Sequence, residues 1–234
     1  MQVSTDGVYV ITGAGGGAAG SIARVFRDAG ARLALVGRTT ESVGALAGQL
    51  GALALGADLT SLDDARRMVA DTRLAFGRLD GLIHAAGGFE MGPADAPDDT
   101  LFTRMIDINV RTLVCAVTAV LPGLLVQGSG FIAGFSTGAV WSGAARPGMT
   151  AYSATKAAVA MYLRSLEAEV GSRGVRVAVV YPVGPIDTPR NRRDMPATDP
   201  SGWIDPAEIG AALLFACTRG PRGRLLELPI GARP

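Results

Sequence analysis

Val8-Tyr9-Val10-Ile11-Thr12-Gly13-Ala14-Gly15-Gly16-Gly17-Ala18-Ala19-Gly20 joins a β-branched apolar run to a glycine-rich turn, and residues 18–29 continue it with helical composition. Strand, glycine turn and helix in that order build an anion cradle: glycines let the backbone approach closely, and the helix N-terminus directs N–H groups at the ligand. Gly13, Gly16, Gly17 and Ala18 are the candidate phosphate contacts. A glycine cluster alone is as often a flexible loop; the flanking strand and helix decide against that here.

Outward from this unit the pattern repeats. Arg32–Arg38 reads as a second strand, 40–50 as a helix, 53–57 as a third strand, and a helix capped by Thr60 or Ser61 runs to Phe76. Asp80–Gly88 is a fourth strand entering a small-residue turn where the backbone of Ala86 and Gly87 can pass close to a ligand. Leu101–Val126 has a long helical pattern, with Asn109 a polar residue among apolar neighbours. Strands follow at 130–135 and 175–181, the second ending at Pro182, and a helix at 206–218 precedes a last strand near 225–228. Alternation of strands and amphipathic helices implies one doubly wound α/β domain over residues 1–234, with about seven parallel strands. Ligands in such sheets bind at the carboxyl ends of the strands, so Pro182 joins the candidate cofactor contacts. The 138–148 segment reads as a loop, and the Pro-rich 183–204 stretch as a lid over the cleft.

Composition narrows the function. The chain has 234 residues, a net charge of +1 and 18% charged residues, which gives no electrostatic surface for nucleic acid or an anionic membrane. A small-molecule substrate is expected instead. Cys115 and Cys217 lie in apolar surroundings that suit free thiols, and no metal cluster is visible. The first six residues lack a signal pattern and no unbroken apolar run reaches bilayer length, so a cytoplasmic location is expected.

Met149–Tyr162 reads as a helix that places Tyr152 and Lys156 on one face, about 6 Å apart along the axis. A free phenol, with a pKa of about 10, is a poor acid or base at neutral pH, and a nearby cation is expected to lower that value. Lys156 is the only lysine in a chain whose other basic side chains are all arginine. Lysine offers a compact point charge that arginine's planar fork does not replace. His84, the only histidine, sits in an apolar strand end and reads as a hydrogen-bonded structural residue.

Together these residues resemble the short-chain dehydrogenase/reductase family over almost the whole chain, and the resemblance implies a Rossmann-type nicotinamide-binding domain. Its glycine turn is matched by Thr12, Gly13 and Gly17, with Ala19 at the last glycine, and its adenine-binding Asp by Asp58 beside Leu59. Its Asn-Asn-Ala-Gly turn is reduced to His84-Ala85-Ala86-Gly87, and Thr188 matches a residue near the nicotinamide carboxamide or pyrophosphate. The resemblance implies that Tyr152 handles the proton at the substrate oxygen. It implies that Lys156 binds the nicotinamide ribose and lowers the Tyr152 pKa, and that Asn109 holds a relay water. It puts Thr137 at the usual substrate-orienting serine, with Ser136 immediately before it. Strand alternation points these two hydroxyls to opposite sides, and Thr137 is expected to face Tyr152.

The expected activity is hydride transfer between a nicotinamide and a carbonyl or alcohol. NADP(H) is favoured, because Arg38 can pair with a 2′-phosphate and Gly37 supplies no repelling carboxylate; NAD(H) remains possible. Residues 186–196 with Trp203, and Phe89 after Gly88, are similar to dihydropteridine reductases, which brings in a pteridine-like C=N bond as an alternative substrate. A non-catalytic dinucleotide sensor is the rival from another class. Helices around 101–126 and 151–171, apolar on more than one face, are expected to bury a homodimer or homotetramer interface.

Overall fold

The computed structural model describes residues 6–95, 99–219 and 226–232. Seven strands, β1 (Val8–Thr12), β2 (Arg32–Gly37), β3 (Leu53–Gly56), β4 (Gly81–His84), β5 (Gly130–Phe135), β6 (Val175–Val183) and β7 (Glu227–Gly231), form one sheet in the order β3-β2-β1-β4-β5-β6-β7. Every pairing is parallel. The helices are α1 (Ala19–Asp28), α2 (Glu41–Leu50), α3 (Leu62–Phe76), α4 (Asp99–Ile106), α5 (Thr112–Gln127), α6 (Gly138–Ser142), α7 (Thr150–Val170), α8 (Pro189–Asp194) and α9 (Pro206–Thr218).

Side-chain alternation along the strands divides the core into two layers. Val8 and Val10 of β1 pack with residues of α3, α5 and α7, whereas Tyr9 and Ile11 pack with α1, α2 and α9. A parallel sheet buried on both faces reads as near-continuous apolar runs, which is why β1 exposes no residue. Ser61 supplies the α3 cap, accepting from Asp64 N at 3.3 Å, and Gly77 at φ 76° ends that helix in the left-handed conformation.

Asp80, just before the central strand β4, lies at the amino ends of the strands, opposite the carboxyl ends that form the cleft. Its buried carboxylate accepts from Val8 N at 2.7 Å, from Arg78 at 2.6 and 2.8 Å, and from Gln127 Nε2 at 3.0 Å.

Three expectations need correction. The 101–126 helix is interrupted by a π-helical turn at Asp107–Arg111, where Thr112 N reaches back to Asp107 O. The 138–148 segment is not loop throughout, because α6 forms in its first five residues. The last strand begins at Glu227 and runs to Gly231; Leu225 lies outside the described residues, as do residues 1–5. The segment after β6 folds on itself, with a bridge between Ile186 and Ile204, and carries α8 between them. The helical run Thr100–Gln127, π turn included, is long and apolar enough to cross a membrane by length and composition. Its buried residues, including Leu113, Val117 and Leu124, pack in the core instead.

Candidate active site

β1 and β4 are neighbours in the sheet, and their carboxyl ends open the cleft. The Gly13 turn and the β4 turn touch: a Cβ on Gly13, at φ 70°, would stand 2.7 Å from Ala86 N and 2.8 Å from Ala85 C. Only glycine allows that approach. Thr12 Oγ1 accepts from Ala86 N at 3.2 Å and bonds His84 Nδ1 at 3.0 Å, so one threonine hydroxyl ties the two turns together. Helix α1 begins without a side-chain cap and without an acidic residue in its first turn. Its N-terminal N–H groups and the Gly16 position, where a Cβ would meet nothing within 4 Å, give room and donors for a pyrophosphate. Thr188 caps α8, accepting from Asn191 N at 3.1 Å, and a Cβ on Gly17 would lie 4.0 Å from its methyl.

Asn109 lies in the π turn and is buried. A π bulge adds a residue to the helix and re-aims the side chains around it. Asn109 Oδ1 accepts from Gly88 N at 3.0 Å, while Nδ2 donates to Gly88 O at 3.1 Å and to Thr155 Oγ1 at 3.2 Å. Thr155 in turn donates to Tyr152 O at 2.8 Å. The β4 turn, the π turn and α7 are thus joined through one amide. A Cβ on Gly87 would come within 2.9 Å of Asn109 Oδ1 and 3.2 Å of Lys156 Nζ, so these two groups crowd the same turn.

At the end of β5 the two adjacent hydroxyls diverge. Ser136 is buried and donates to Lys156 O at 2.8 Å, pinning α7 to the sheet. The Thr137 side chain instead lies on the Tyr152 side, near enough to pull the phenol's pKa down. Lys156 Nζ donates to Phe135 O at 3.0 Å and lies 5.8 Å from the centre of the Tyr152 ring. Burial lowers the Lys156 pKa to about 8. The expected electrostatic pull of Lys156 on the phenol is corrected here. Burial raises the Tyr152 pKa and the nearby Thr137 side chain opposes it, while the ammonium donates one of its three hydrogens to the Phe135 carbonyl. Desolvation of the phenolate wins because neither opposing group is a full charge in contact with the oxygen.

The division of the hydroxyls gives an expected result. Thr137→Val should lower kcat by about 100- to 1,000-fold, the loss typical of an oxyanion donor, with nicotinamide affinity nearly intact. Ser136→Ala removes an anchor of α7 and should cost stability more than rate. Steady-state kinetics with a parallel thermal melt separates the two, and a larger kcat loss in Ser136→Ala would reverse the assignment.

At the end of β2, Gly37 has no room for a side chain: a Cβ there would stand 2.2 Å from Ser42 Oγ and 2.8 Å from Val43 Cγ1. Arg38 is exposed at the rim. Asp58 is also exposed, and Oδ1 accepts from Thr60 N at 3.0 Å and Thr60 Oγ1 at 2.7 Å, which holds its carboxyl below the usual range. Leu59 beside it is buried. Ala86 and Gly87 lie in the turn after β4, and Pro182, next to the end of β6, pairs with Ile230 of β7. Sequence reasoning did not find Thr112, Thr155 and Gly88, whose contacts are made across the fold. It also gave no role to Phe89, half exposed, whose ring meets Tyr152 edge-on at 4.8 Å and 85°. A separate open groove of about 730 Å3 is lined by Asp187, Arg192, Asp199 and Trp203 of the 183–204 segment, and Tyr152 does not line it.

Residues 7–198 match the family model described as short chain dehydrogenase. An uncharacterized oxidoreductase of Staphylococcus aureus (strain MW2) is 30% identical over 233 residues, covering 98% of this chain and 99% of the relative. A short-chain dehydrogenase from Streptomyces avermitilis superposes with a TM-score of 0.84 at 26% identity, covering 96% of this chain and 88% of that one. The 3-ketoacyl-(acyl-carrier-protein) reductase from Brucella melitensis, solved with NADH, gives a TM-score of 0.84 at 25% identity over 96% of both chains. With the parallel seven-stranded sheet and the glycine turn at its switch point, these likenesses place the chain in the short-chain dehydrogenase family.

Proposed function

We propose that the chain is an NADP(H)-preferring oxidoreductase acting on a carbonyl/alcohol pair, with Tyr152 as the group that handles the proton. The observation that carries this reading is the meeting of Tyr152, Thr137, Lys156 and Asn109 beside the Gly13 and Gly87 turns. Gly13, Gly16, Gly17 and Ala18 would hold the pyrophosphate, Asp58 and Leu59 the adenine, Ala86, Gly87, Pro182 and Thr188 the inner half, and Lys156 the ribose. The nicotinamide, when bound, supplies or accepts the hydride.

Burial keeps the Tyr152 phenol protonated, so it enters as a donor to a carbonyl oxygen. Thr137 can donate to the same oxygen. Asn109, held by Gly88 and Thr155, would hold a relay water between Lys156 and bulk solvent. The 183–204 segment would close over the bound pair. A panel of carbonyls assayed by nicotinamide absorbance tests the reading, and absence of turnover with either nicotinamide across the panel would favour a dinucleotide sensor. A pteridine-like C=N acceptor is the second class to include. Phe89, edge-on to Tyr152 and half exposed, offers a planar wall beside the proton donor.

Cofactor choice rests on Arg38 and Gly37. Arg38→Ala should weaken NADP(H) about tenfold or more, the loss of one charge-assisted phosphate contact, and leave NAD(H) nearly unchanged. Equal losses for both nucleotides, measured by fluorescence titration, would remove the preference. The oligomer is read from the helices: Phe102, Ile108, Val126 and Met161 are exposed apolar residues on α4, the π turn, α5 and α7. A homodimer or homotetramer should appear in light scattering at micromolar concentration, and a monomer there would overturn it.

A further inference from the structure

We infer that His84 is a positioning residue for Asn109: it locks the π turn against the Thr12–Gly13 turn through a hydrogen-bond chain that runs in one direction. The inference rests on the proposed relay role of Asn109 and adds a group that never touches substrate or cofactor.

The direction follows from the two ends. At one end the acceptor is a carbonyl: Thr112 Oγ1 donates to Ile108 O at 2.8 Å, inside the π turn, and its single hydrogen is used there. Its lone pairs therefore accept from His84 Nε2 at 3.2 Å, which puts the ring proton on Nε2. At the other end the donor is an amide: Ala86 N–H donates to Thr12 Oγ1 at 3.2 Å, which leaves the Thr12 hydrogen for His84 Nδ1 at 3.0 Å. The donors in order are Ala86, Thr12, His84 and Thr112, the Ile108 carbonyl is the last acceptor, and one neutral tautomer satisfies all five groups. Thr12, His84 and Thr112 are all buried, so water does not replace a missing link.

A histidine that only fills the core needs partners but not particular ones. Here the chain starts in the β4 turn and ends on the peptide that joins Ile108 to Asn109. Asn109 then bonds both backbone groups of Gly88, two residues beyond Ala86, and closes the ring. The β4 turn is therefore fixed twice, once by the amide of Asn109 and once through His84. Cutting the His84 link leaves the π turn held by the Asn109 amide without its second tie, so it can shift relative to Tyr152 while every group proposed to contact substrate is still present.

The test is a double-mutant cycle on the full-length enzyme with the best carbonyl from the panel. His84→Leu should lower kcat about 100-fold, the effect of misplacing a group by about 1 Å, with substrate KM nearly unchanged. Thr112→Val should follow the same pattern, and Thr112→Ser should recover most of the rate. In an Asn109→Ala background, His84→Leu and Thr112→Val should add less than about twofold, because the residue they position is gone. Additive losses in that background, or full activity in His84→Leu, would overturn the inference.

A second readout needs no turnover: exchange of the Gly88 amide, bonded to Asn109 Oδ1, should speed up about tenfold in Thr112→Val and His84→Gln. Unchanged exchange there sinks the inference even where His84→Leu fails to fold. The proposed activity fails separately, when Tyr152→Phe retains turnover.

Discussion

Tyr152→Phe is expected to lower kcat by about 100- to 10,000-fold, the range for removal of a general acid, while nicotinamide affinity stays within a few-fold. The substitution deletes one oxygen. It keeps the ring that meets Phe89 at 4.8 Å, and Thr155 still donates to the residue 152 carbonyl. The loss is thus assigned to chemistry rather than to collapse of α7. Lys156 gives the companion result. Its ammonium, lowered to about 8 by burial, is present below that pH and lost above it, so nicotinamide binding should weaken as pH rises through about 8. Fluorescence titration of nicotinamide from pH 6 to 10, beside steady-state assays, checks both results. A Tyr152→Phe enzyme with more than a tenth of the parent kcat would remove the phenol from the mechanism.

Asp80→Ala should destabilise the fold by about 3 kcal/mol, near the lower end of the range for breaking a buried pair. Arg78 is about half exposed (53%) and can rehydrate when its partner goes, which keeps the loss from the upper end. Val8 N–H has no such escape, because β1 is buried throughout and the carboxylate is its partner at 2.7 Å. Asp80 lies at the amino ends of the strands, away from the carboxyl-end cleft, so kcat at low temperature should be unchanged. Urea unfolding gives the measure: a midpoint shift with constant m supports this account, and a loss under about 1 kcal/mol would show that water or Gln127 compensates.

The order of strands and helices was legible because each strand is a short apolar run closed by glycine, proline or a cap, and those signals are local. The Gly13 turn and the Tyr152–Lys156 pair were legible for the same reason. The opposite facing of Ser136 and Thr137 follows from the period of a strand alone. The π turn around Asn109 was not legible, since the choice between i−4 and i−5 hydrogen bonds depends on what packs around the helix. The direction of the Tyr152 pKa shift was missed because helical spacing sets where Cβ atoms lie and not which acceptor an ammonium finds; Phe135 O was the nearer offer. The work of His84, Thr12 and Thr112 needed three segments far apart in the chain to be brought together first.

Gly37 bears on how this enzyme's cofactor choice can be altered by evolution or in the laboratory. The familiar route toward NAD(H) places a carboxylate at the end of the second strand. That route is closed to a single substitution here, since a new Cβ would strike Ser42 Oγ and Val43 Cγ1. Val43 is a buried residue of α2, so the side chains of Ser42 and Val43 would have to shift. An acid at Gly37 becomes accessible only after Ser42 and Val43 have been made smaller, in a lineage that first accepts a loosened α2. Arg38, on the exposed rim, faces no such barrier and can change in one step. On the proposed reading, selection could discard a 2′-phosphate contact at Arg38 more readily than it could add a carboxylate at Gly37.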